Sequence, residues 1–240
     1  MYLPETQQFA VKLQASKSAL GGGGVEDERV RAPSWLLLGL KRVFDLASVV
    51  VILGLFWWVM IIVAVLIKLT SPGPLVFGHR RVGRSGRQFM CYKFRSMVTN
   101  SQEVLSELLE RDPEARAEWA RDFKLKNDPR VTRIGRFIRK TSLDELPQLW
   151  NVLVGDMSIV GPRPVVRKEL ALHYGPAGRR HYLSVRPGLT GLWQVGGRND
   201  MNYSERVALD KRYVQTWTVF GDFWIVMRTV GVMFGKRGAY

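Results

Sequence analysis

The sequence predicts a mostly helical α+β protein with a membrane-inserted helix near its N-terminus, a small β-hairpin and amphipathic helices at a membrane surface. Three observations indicate this fold class: an uncharged run of membrane length, alternating apolar residues on either side of two glycines, and helical periodicity through most of the remaining chain. A length of 240 residues is sufficient for one main domain with appendages.

The chain is strongly basic. It has 36 Lys and Arg against 21 Asp and Glu, a formal net charge of +15. Such a charge favours polyanions, anionic lipid or phosphorylated small molecules as partners, and its sign does not choose among them. Cys91 is the only cysteine, so an intramolecular disulfide is excluded and a cytosol-facing protein is consistent with the sequence.

A membrane helix is expected over residues 34–68, after a flexible tail of residues 1–33 that contains the Gly21 to Gly24 run. Every position from Leu46 to Ile67 is uncharged. At ~1.5 Å per residue a helix of this length reaches ~33 Å, which is about the thickness of the hydrocarbon core of a bilayer. The alternative is a buried helix of a soluble core.

The topology of this helix is left open by the sequence. Lys41 and Arg42 flank one end and Lys68 the other, and positive flanks prefer the cytoplasmic side, so both ends would be cytoplasmic in a re-entrant hairpin. A hairpin requires a break in the helix, and the middle offers Gly54 and Trp57-Trp58 but no proline. Spanning and re-entrant arrangements both remain possible at this point.

Shorter elements follow the membrane helix. Short alternating apolar runs around Gly83 to Gly86 predict a β-hairpin. Residues 101–125 are charged and helix-prone, and Pro113 marks a break between two helices. After Val131 the spacing predicts an amphipathic helix whose apolar side carries Ile134, Phe137 and Ile138.

The C-terminal segment is also predicted to be helical. Trp217, Phe220, Phe223 and Trp224 cluster in it, as they would in a helix at a membrane interface. The alternative is that these four residues are ordinary core aromatics.

Two adjacent carboxylates, Asp144 and Glu145, occur directly after a run of arginines and lysines. Ser142 and Glu145 could form a capping box, but Pro147 would then fall at the fifth helical position, where a backbone donor is needed. With Asp144 as N-cap the proline falls third, where no donor is used. This register predicts that the positive end of the helix lowers the pKa of Asp144 and keeps it anionic, and a pure capping role for Asp144 is the structural alternative.

Three arginines lie in loops rich in proline and glycine: Arg163, Arg186 and Arg198. A rigidly held guanidinium is suited to bidentate phosphate recognition, although a single arginine is more often a surface charge. Together with the Asp-Glu pair, and without a His or Cys cluster, they predict phosphate chemistry with a hard cation that binds oxygen ligands, such as Mg²⁺.

Long sequence words carry a family resemblance. They are KRVFDL at 41–46, SPGPLVF at 71–77, YKFRSM at 92–97, the stretch from DPRVTRIGRFIRKTSLDELPQLWN to VGPRP at 128–164, and VRPGLTGLWQV with GGRN at 185–199. The chain from residue 41 to about 237 resembles the bacterial sugar transferases, the monotopic phosphoglycosyl transferases. The family typically carries a proline pair in the membrane helix where this chain has Trp57-Trp58.

The resemblance implies a monotopic enzyme of the bacterial cytoplasmic (inner) membrane, with residues 69–240 forming a catalytic domain that faces the cytoplasm. Such an enzyme transfers a hexose-1-phosphate from a UDP-sugar to polyprenyl (undecaprenyl) phosphate and so initiates a surface polysaccharide. Asp144 would be the nucleophile, UMP the leaving group, and Mg²⁺ the cofactor beside Asp144 and Glu145.

The matching positions imply further site residues: Lys93, Arg139, Arg163 and Arg198 would contact phosphate and nucleotide, and Asp210 would be an additional polar residue of the site. The competing hypothesis is a basic membrane-anchored adaptor that binds anionic lipid without catalysis. Nucleic acid is not an expected partner, because no reading motif or interleaved aromatic pattern accompanies the charge.

Overall fold

A computed structural model of the chain describes residues 35–122, 125–196 and 202–234. The predicted tail of residues 1–33 and Arg198 lie outside these ranges. The fold is mostly helical with two small sheets, which confirms the α+β class. The helices are α1 Trp35–Thr70, α2 Ser101–Arg111, α3 Pro113–Asp122, α4 Arg133–Lys140, α5 Gln148–Val154, α6 Arg167–His173, α7 Gly175–Ser184, α8 Leu192–Gly196, α9 Tyr203–Thr216 and α10 Val219–Phe234; the strands are β1 Val76–Val82, β2 Gln88–Phe94, β3 Ser158–Val160 and β4 Gly188–Thr190.

The membrane segment forms one helix, α1, which runs without interruption through Gly54, Trp57 and Trp58. Among the described residues it is the one helix long and apolar enough to cross a membrane, and only 11% of its most apolar window is buried. A core helix of a soluble protein would be mostly buried, so the low burial agrees with the predicted contact between α1 and lipid.

Both halves of α1 nevertheless contact the same domain. Val49 belongs to the core cluster that includes Leu149 of α5, whereas Val63 and Ile67 belong to a cluster with Ile138 of α4. A helix that left the domain along the bilayer normal would carry one of these ends ~30 Å away. The packing therefore agrees with the prediction from the basic residues at its two ends, which favour placing both ends on the same side of the membrane.

A buried ionic network fixes the start of α1. Lys41 Nζ lies 2.7 Å from a carboxylate oxygen of Asp222 in α10. One turn later, Asp45 accepts hydrogen bonds from Ser158 Oγ at 2.8 Å and from the backbone N–H of Ile159 at 3.0 Å. Because buried charges are stable only when they are paired or hydrogen-bonded, these contacts set the position of α1 relative to β3 and α10.

The predicted hairpin is confirmed. β1 and β2 pair antiparallel from Val76 opposite Phe94 to Val82 opposite Gln88. The turn between them places Ser85 and Gly86 at φ 57° and 80°, a backbone region that glycine adopts without strain. β2 has one free edge, and the amide of Asn151 in α5 covers part of it by accepting from Tyr92 N at 3.1 Å and donating to Met90 O at 2.7 Å.

A second sheet was not predicted. β3 and β4 are three residues each and pair parallel, with Ser158 opposite Gly188 and Val160 opposite Thr190. A Cβ on Gly188 would lie 2.1 Å from the backbone nitrogen of Gly161, so only glycine permits this approach of the two chains. The pairing brings the loop that follows β3 beside β4.

The helical predictions are largely confirmed. Pro113 is the first residue of α3, as its missing N–H allows. α4 begins after Thr132, whose hydroxyl accepts from Gly135 N at 2.8 Å. The apolar side predicted for α4 is only partly correct, because Ile138 is buried but Phe137 faces solvent.

The C-terminal aromatics are mostly outside the core. Phe220, Phe223 and Trp224 are 77%, 52% and 45% exposed, so the core alternative is wrong for these three residues. Trp217 is half-buried and its Nε1 donates to Asp222 at 2.9 Å. The exposed face of α10 is consistent with an interfacial helix.

Candidate active site

The two carboxylates lie in a 3₁₀ turn, Leu143–Glu145, between α4 and α5. Ser142 enters this turn with a left-handed backbone, φ 57°, and its side chain forms no capping hydrogen bond. α5 begins only at Gln148, after Pro147. The predicted N-cap register of Asp144 is therefore wrong, and the capping box that Pro147 argued against is not formed. The turn closes on backbone atoms, with Glu145 N donating to Ser142 O at 3.2 Å, and leaves the acid side chains available for other contacts.

Lys93 of β2 meets both acids. Its Nζ donates to Glu145 Oε1 at 2.6 Å and lies 3.6 Å from Asp144 Oδ2. Lys93 is partly exposed, whereas Asp144 is only 8% exposed. A partly buried ion pair of this kind orients the two carboxylates around one cation.

The environment of Asp144 acts on its pKa in the direction opposite to the prediction. Burial raises the pKa of Asp144 above its ordinary value and is the largest influence, Lys93 and Arg139 lower the pKa, and Glu145 raises it. The predicted lowering by a helix N-terminus is wrong, because Asp144 does not cap α5 and its removal from water outweighs the neighbouring cations. An acid with these properties is less hydrated than a surface aspartate.

Arg139 is the second cation near Asp144. It lies in the last turn of α4, and its Nε donates to Ser96 Oγ at 2.8 Å. Burial lowers the pKa of the guanidinium, and the carboxylate of Asp144 opposes this lowering. The hydrogen bond to Ser96 holds the arginine at the edge of the dyad, and its contact with phosphate or nucleotide stays a prediction.

A pocket adjoins the dyad. Its charged lining consists of Arg81, Lys93 and Arg163 as cations and Glu145 as the single acid. Gln148 and Gln194 add side-chain amides to the same pocket, and its apolar lining consists of Cys91, Pro164 and Leu189. Three cations face Glu145 and also Glu169, which pairs with Arg81 at 3.3 Å, so the site keeps a net positive charge that favours an anion, and guanidinium and ammonium groups bind phosphate well.

Arg163 also belongs to a second, aromatic pocket. Its guanidinium carbon lies 5.4 Å from the ring centre of Trp193, and that of Arg206 lies 4.8 Å from the same ring. Tyr174, Tyr203 and Asp210 complete this pocket together with Glu169 and Val165. Flat aromatic and guanidinium surfaces of this kind bind rings by stacking.

Asp210 contacts the backbone of Arg163. It is buried, accepts a hydrogen bond from Tyr174 Oη at 2.7 Å, and also accepts from the backbone N–H of Arg163. Burial raises its pKa to about 7. The structure thus brings Asp210 to the site, where it holds the backbone that carries Arg163.

Arg186 is not brought to either pocket. The nearest nitrogens of Arg186 and Arg42 lie 4.0 Å and 3.9 Å from the position that a Cβ of Gly155 would occupy. Arg42 donates to the carbonyl oxygens of Val152 and Leu153 at the end of α5. Arg186 therefore lies on the side of α5 that contacts the start of α1, and its predicted role in substrate binding is not supported by this position.

Sequence reasoning missed Arg81, Gln148, Trp193 and Arg206. A signal existed for two of them. Gln148 follows Asp144 by four residues in DELPQ, and Trp193 stands in GLTGLWQV, so both lie within the words that carried the resemblance. Arg81 and Arg206 stand in ordinary strand and helix patterns, and only the packing brings them to the pockets.

The carboxylates of Asp144 and Glu145 are the predicted ligands of Mg²⁺. Among the described residues there is no group of three or more His, Cys, Asp or Glu side chains that could hold a metal ion. Asp144 and Glu145 supply two carboxylates, and Mg²⁺ is commonly held by one or two carboxylates together with substrate phosphates. The pair therefore fits an ion shared with a phosphate ligand and does not form an all-protein metal cage.

Comparison with known proteins identifies sequence relatives for most of the chain. The family model described as "Bacterial sugar transferase" matches residues 36–236. The chain is 56% identical over 202 residues to the undecaprenyl-phosphate galactose phosphotransferase of Salmonella typhimurium and 54% identical over 201 residues to the UDP-galactose-lipid carrier transferase of Erwinia amylovora. Each alignment covers 84% of this chain and 42% of the relative, so the chain spans less than half the length of these two proteins.

A shorter relative aligns over most of its own length. The exopolysaccharide production protein ExoY of Rhizobium meliloti is 48% identical over 200 residues, which are 83% of this chain and 88% of that protein. The region that these proteins share therefore corresponds to α1 and the domain that packs against it.

Proposed function

Because the chain belongs to the bacterial sugar transferase family, we propose that it transfers a hexose-1-phosphate from a UDP-sugar to a polyprenyl phosphate such as undecaprenyl phosphate. The reaction would begin the assembly of a surface polysaccharide or glycoconjugate. The names of two relatives state an undecaprenyl phosphate substrate and a UDP-galactose substrate. The observation that carries the proposal is the buried Asp144 beside Lys93, next to a pocket lined by three cations.

In the first half-reaction, a carboxylate oxygen of Asp144 attacks the phosphorus that carries the hexose. A bond forms between this oxygen and phosphorus, the bond from phosphorus to the bridging oxygen breaks, and UMP leaves with the electron pair. Partial desolvation of Asp144 makes its ionised oxygen more reactive toward phosphorus. Lys93 and Arg163 line the pocket where the negative charge of the diphosphate would lie, and they would stabilise it.

In the second half-reaction, an oxygen of the polyprenyl phosphate attacks the same phosphorus. The bond to Asp144 breaks and the carboxylate is regenerated, while the lipid keeps a new diphosphate linkage to the hexose. Two successive displacements at one aspartate allow a soluble donor and a lipid acceptor to use the same site in turn. In the ligand-free protein Glu145 holds Lys93 in place through the 2.6 Å contact.

Magnesium is part of the proposal. Asp144 and Glu145 would hold Mg²⁺ together with the donor phosphates, and the ion would neutralise charge on the diphosphate. The dyad alone provides too few ligands for tight binding, so we expect the ion to bind well only with the donor.

The acceptor is a membrane lipid, and the exposed apolar surfaces explain how the site would reach it. α1 and the exposed aromatic residues of α10 would place the domain on the cytoplasmic face of the bacterial inner membrane. Both halves of α1 pack against the one domain, which supports a re-entrant arrangement, whereas the unbroken course of the helix through Gly54, Trp57 and Trp58 does not supply the break that a hairpin requires.

The experiment is a screen of UDP-sugars for UMP release by detergent-solubilised protein with Mg²⁺. We expect one or more donors to release UMP, Asp144→Asn to abolish release, and Glu107→Gln, which removes an exposed carboxylate, to retain it. Labelled donor should leave a hydroxylamine-sensitive adduct on wild type and on Glu107→Gln but not on Asp144→Asn. Salt-sensitive binding to anionic lipid without any UMP release would instead support the adaptor hypothesis.

A further inference from the structure

One amide nitrogen beside the pocket has no hydrogen-bond partner in the described part of the chain. Gln148 lies in the first turn of α5, is 2% exposed and lines the pocket together with Lys93, Glu145 and Arg163. Its Nε2 is buried and makes no hydrogen bond to any described residue. Buried side-chain amides are nearly always hydrogen-bonded, because a donor removed from water without an acceptor destabilises the folded state.

The next buried amide of the same helix shows the contrast. Asn151 is completely buried, and both ends of its amide are used, by Tyr92 N and Met90 O on the edge of β2. Asn151 therefore has a structural role that its contacts explain. Gln148 has the same chemistry and similar burial, but its Nε2 has no such contact among the described residues, so packing alone does not explain a polar side chain at this position.

The charge of the pocket identifies the missing acceptor. Three cations line the pocket and two acids engage two of them: Glu145 contacts Lys93 at 2.6 Å and Glu169 contacts Arg81 at 3.3 Å, so a net positive charge remains. A ligand drawn into this pocket by charge is an anion that presents several oxygen acceptors, and phosphate oxygens are the strongest acceptors of this kind. An amide donor supplies a hydrogen bond to such an oxygen without adding charge.

We propose that Gln148 is a substrate-binding residue whose Nε2 donates a hydrogen bond to a phosphate oxygen of the nucleoside diphosphate donor. This inference rests on the proposed function and assigns one further residue to it. The orphaned amide reduces the stability of the ligand-free protein, and the bound phosphate supplies the missing acceptor.

The first test compares the stability of two matched variants in detergent. Gln148→Met keeps the length of the side chain and removes the unpaired donor, so we expect Tm to rise by about 2–4 °C. Asn151→Leu leaves two backbone groups of β2 without partners, so we expect Tm to fall by at least as much. A fall of Tm for Gln148→Met similar to that for Asn151→Leu would show that Gln148 has a structural role and would overturn the inference.

The second test measures binding of UDP, which is a nucleoside diphosphate without a sugar to transfer, by calorimetry with Mg²⁺ present. Loss of one hydrogen bond to a charged oxygen should weaken UDP binding by Gln148→Met about 10- to 100-fold. Uridine has no phosphate, and its affinity should not depend on Gln148. Equal UDP affinity in the variant and wild type would overturn the inference and leave the proposed function intact.

The outcomes separate the two proposals. If wild type binds neither UDP nor UMP and releases no UMP from any donor, the proposed function fails and the inference fails with it. If wild type binds UDP and the substitution weakens the binding of uridine by the same factor as that of UDP, the acceptor of Gln148 lies on the nucleoside, and the assignment to phosphate is overturned.

Discussion

Asp210 makes the stability of this protein depend on pH in an unusual direction. It is 4% exposed, and burial raises its pKa from 3.8 to about 7. The folded protein therefore binds this proton more tightly than the unfolded chain does. The resulting stabilisation is fully present below the unfolded pKa and is lost as the pH rises through about 7. Since one pKa unit corresponds to about 1.4 kcal/mol, this group alone should make the folded state about 4 kcal/mol less stable at pH 8 than at pH 4.

Asp210→Asn removes this titration while keeping an oxygen that can accept from Tyr174. We expect the variant and wild type to have similar Tm near pH 4. As the pH rises, the Tm of the variant should exceed that of wild type, by about 8–16 °C at pH 8 for a chain of this size. Tm measured from pH 4 to pH 9 in detergent tests this. A lost hydrogen bond to Arg163 N–H would add a constant offset, so the change of the difference with pH is the informative quantity.

The control is Glu107→Gln, which removes an exposed carboxylate of α2. Its Tm should follow that of wild type at every pH. If the curves of Asp210→Asn and wild type are parallel between pH 4 and pH 9, Asp210 does not titrate in this range and the argument from burial is refuted.

Three further changes test other parts of the structure. Lys93→Met removes a cation that lowers the pKa of Asp144, so the acid limb of kcat/KM for UMP release should move to higher pH, and an unmoved limb would contradict the assignment of Asp144. Gly135→Ala would place a Cβ 1.9 Å from Ser96 O, so we expect a loss of about 1–3 kcal/mol in the free energy of unfolding by urea, whereas an unchanged midpoint would show that α4 can move. Phe223→Glu puts a charge on the exposed face of α10, so retention on phosphatidylglycerol vesicles should weaken with little change in Tm, and equal retention would argue against an interfacial α10.

The sequence was sufficient where a signal is local. The β-hairpin at Gly83 to Gly86, the helix start at Pro113 and the long apolar helix of residues 46–67 each depend on turn chemistry or periodicity within a few residues. The parallel pair β3 and β4 was missed, because three-residue strands carry no periodicity and their pairing depends on the close approach of Gly161 and Gly188.

For the candidate site, the sequence determined the chemistry of the groups and the tertiary structure decided which of them meet and in what environment. The adjacent Asp144 and Glu145, and the family motifs around them, can be recognised from the sequence alone. The contact of Lys93 with Glu145 spans 52 positions of the chain, and the position of Arg186 beside Arg42 is set by packing on α5. The pKa of Asp144 was predicted in the wrong direction for the same reason: desolvation depends on what covers a side chain, and no local pattern contains that information.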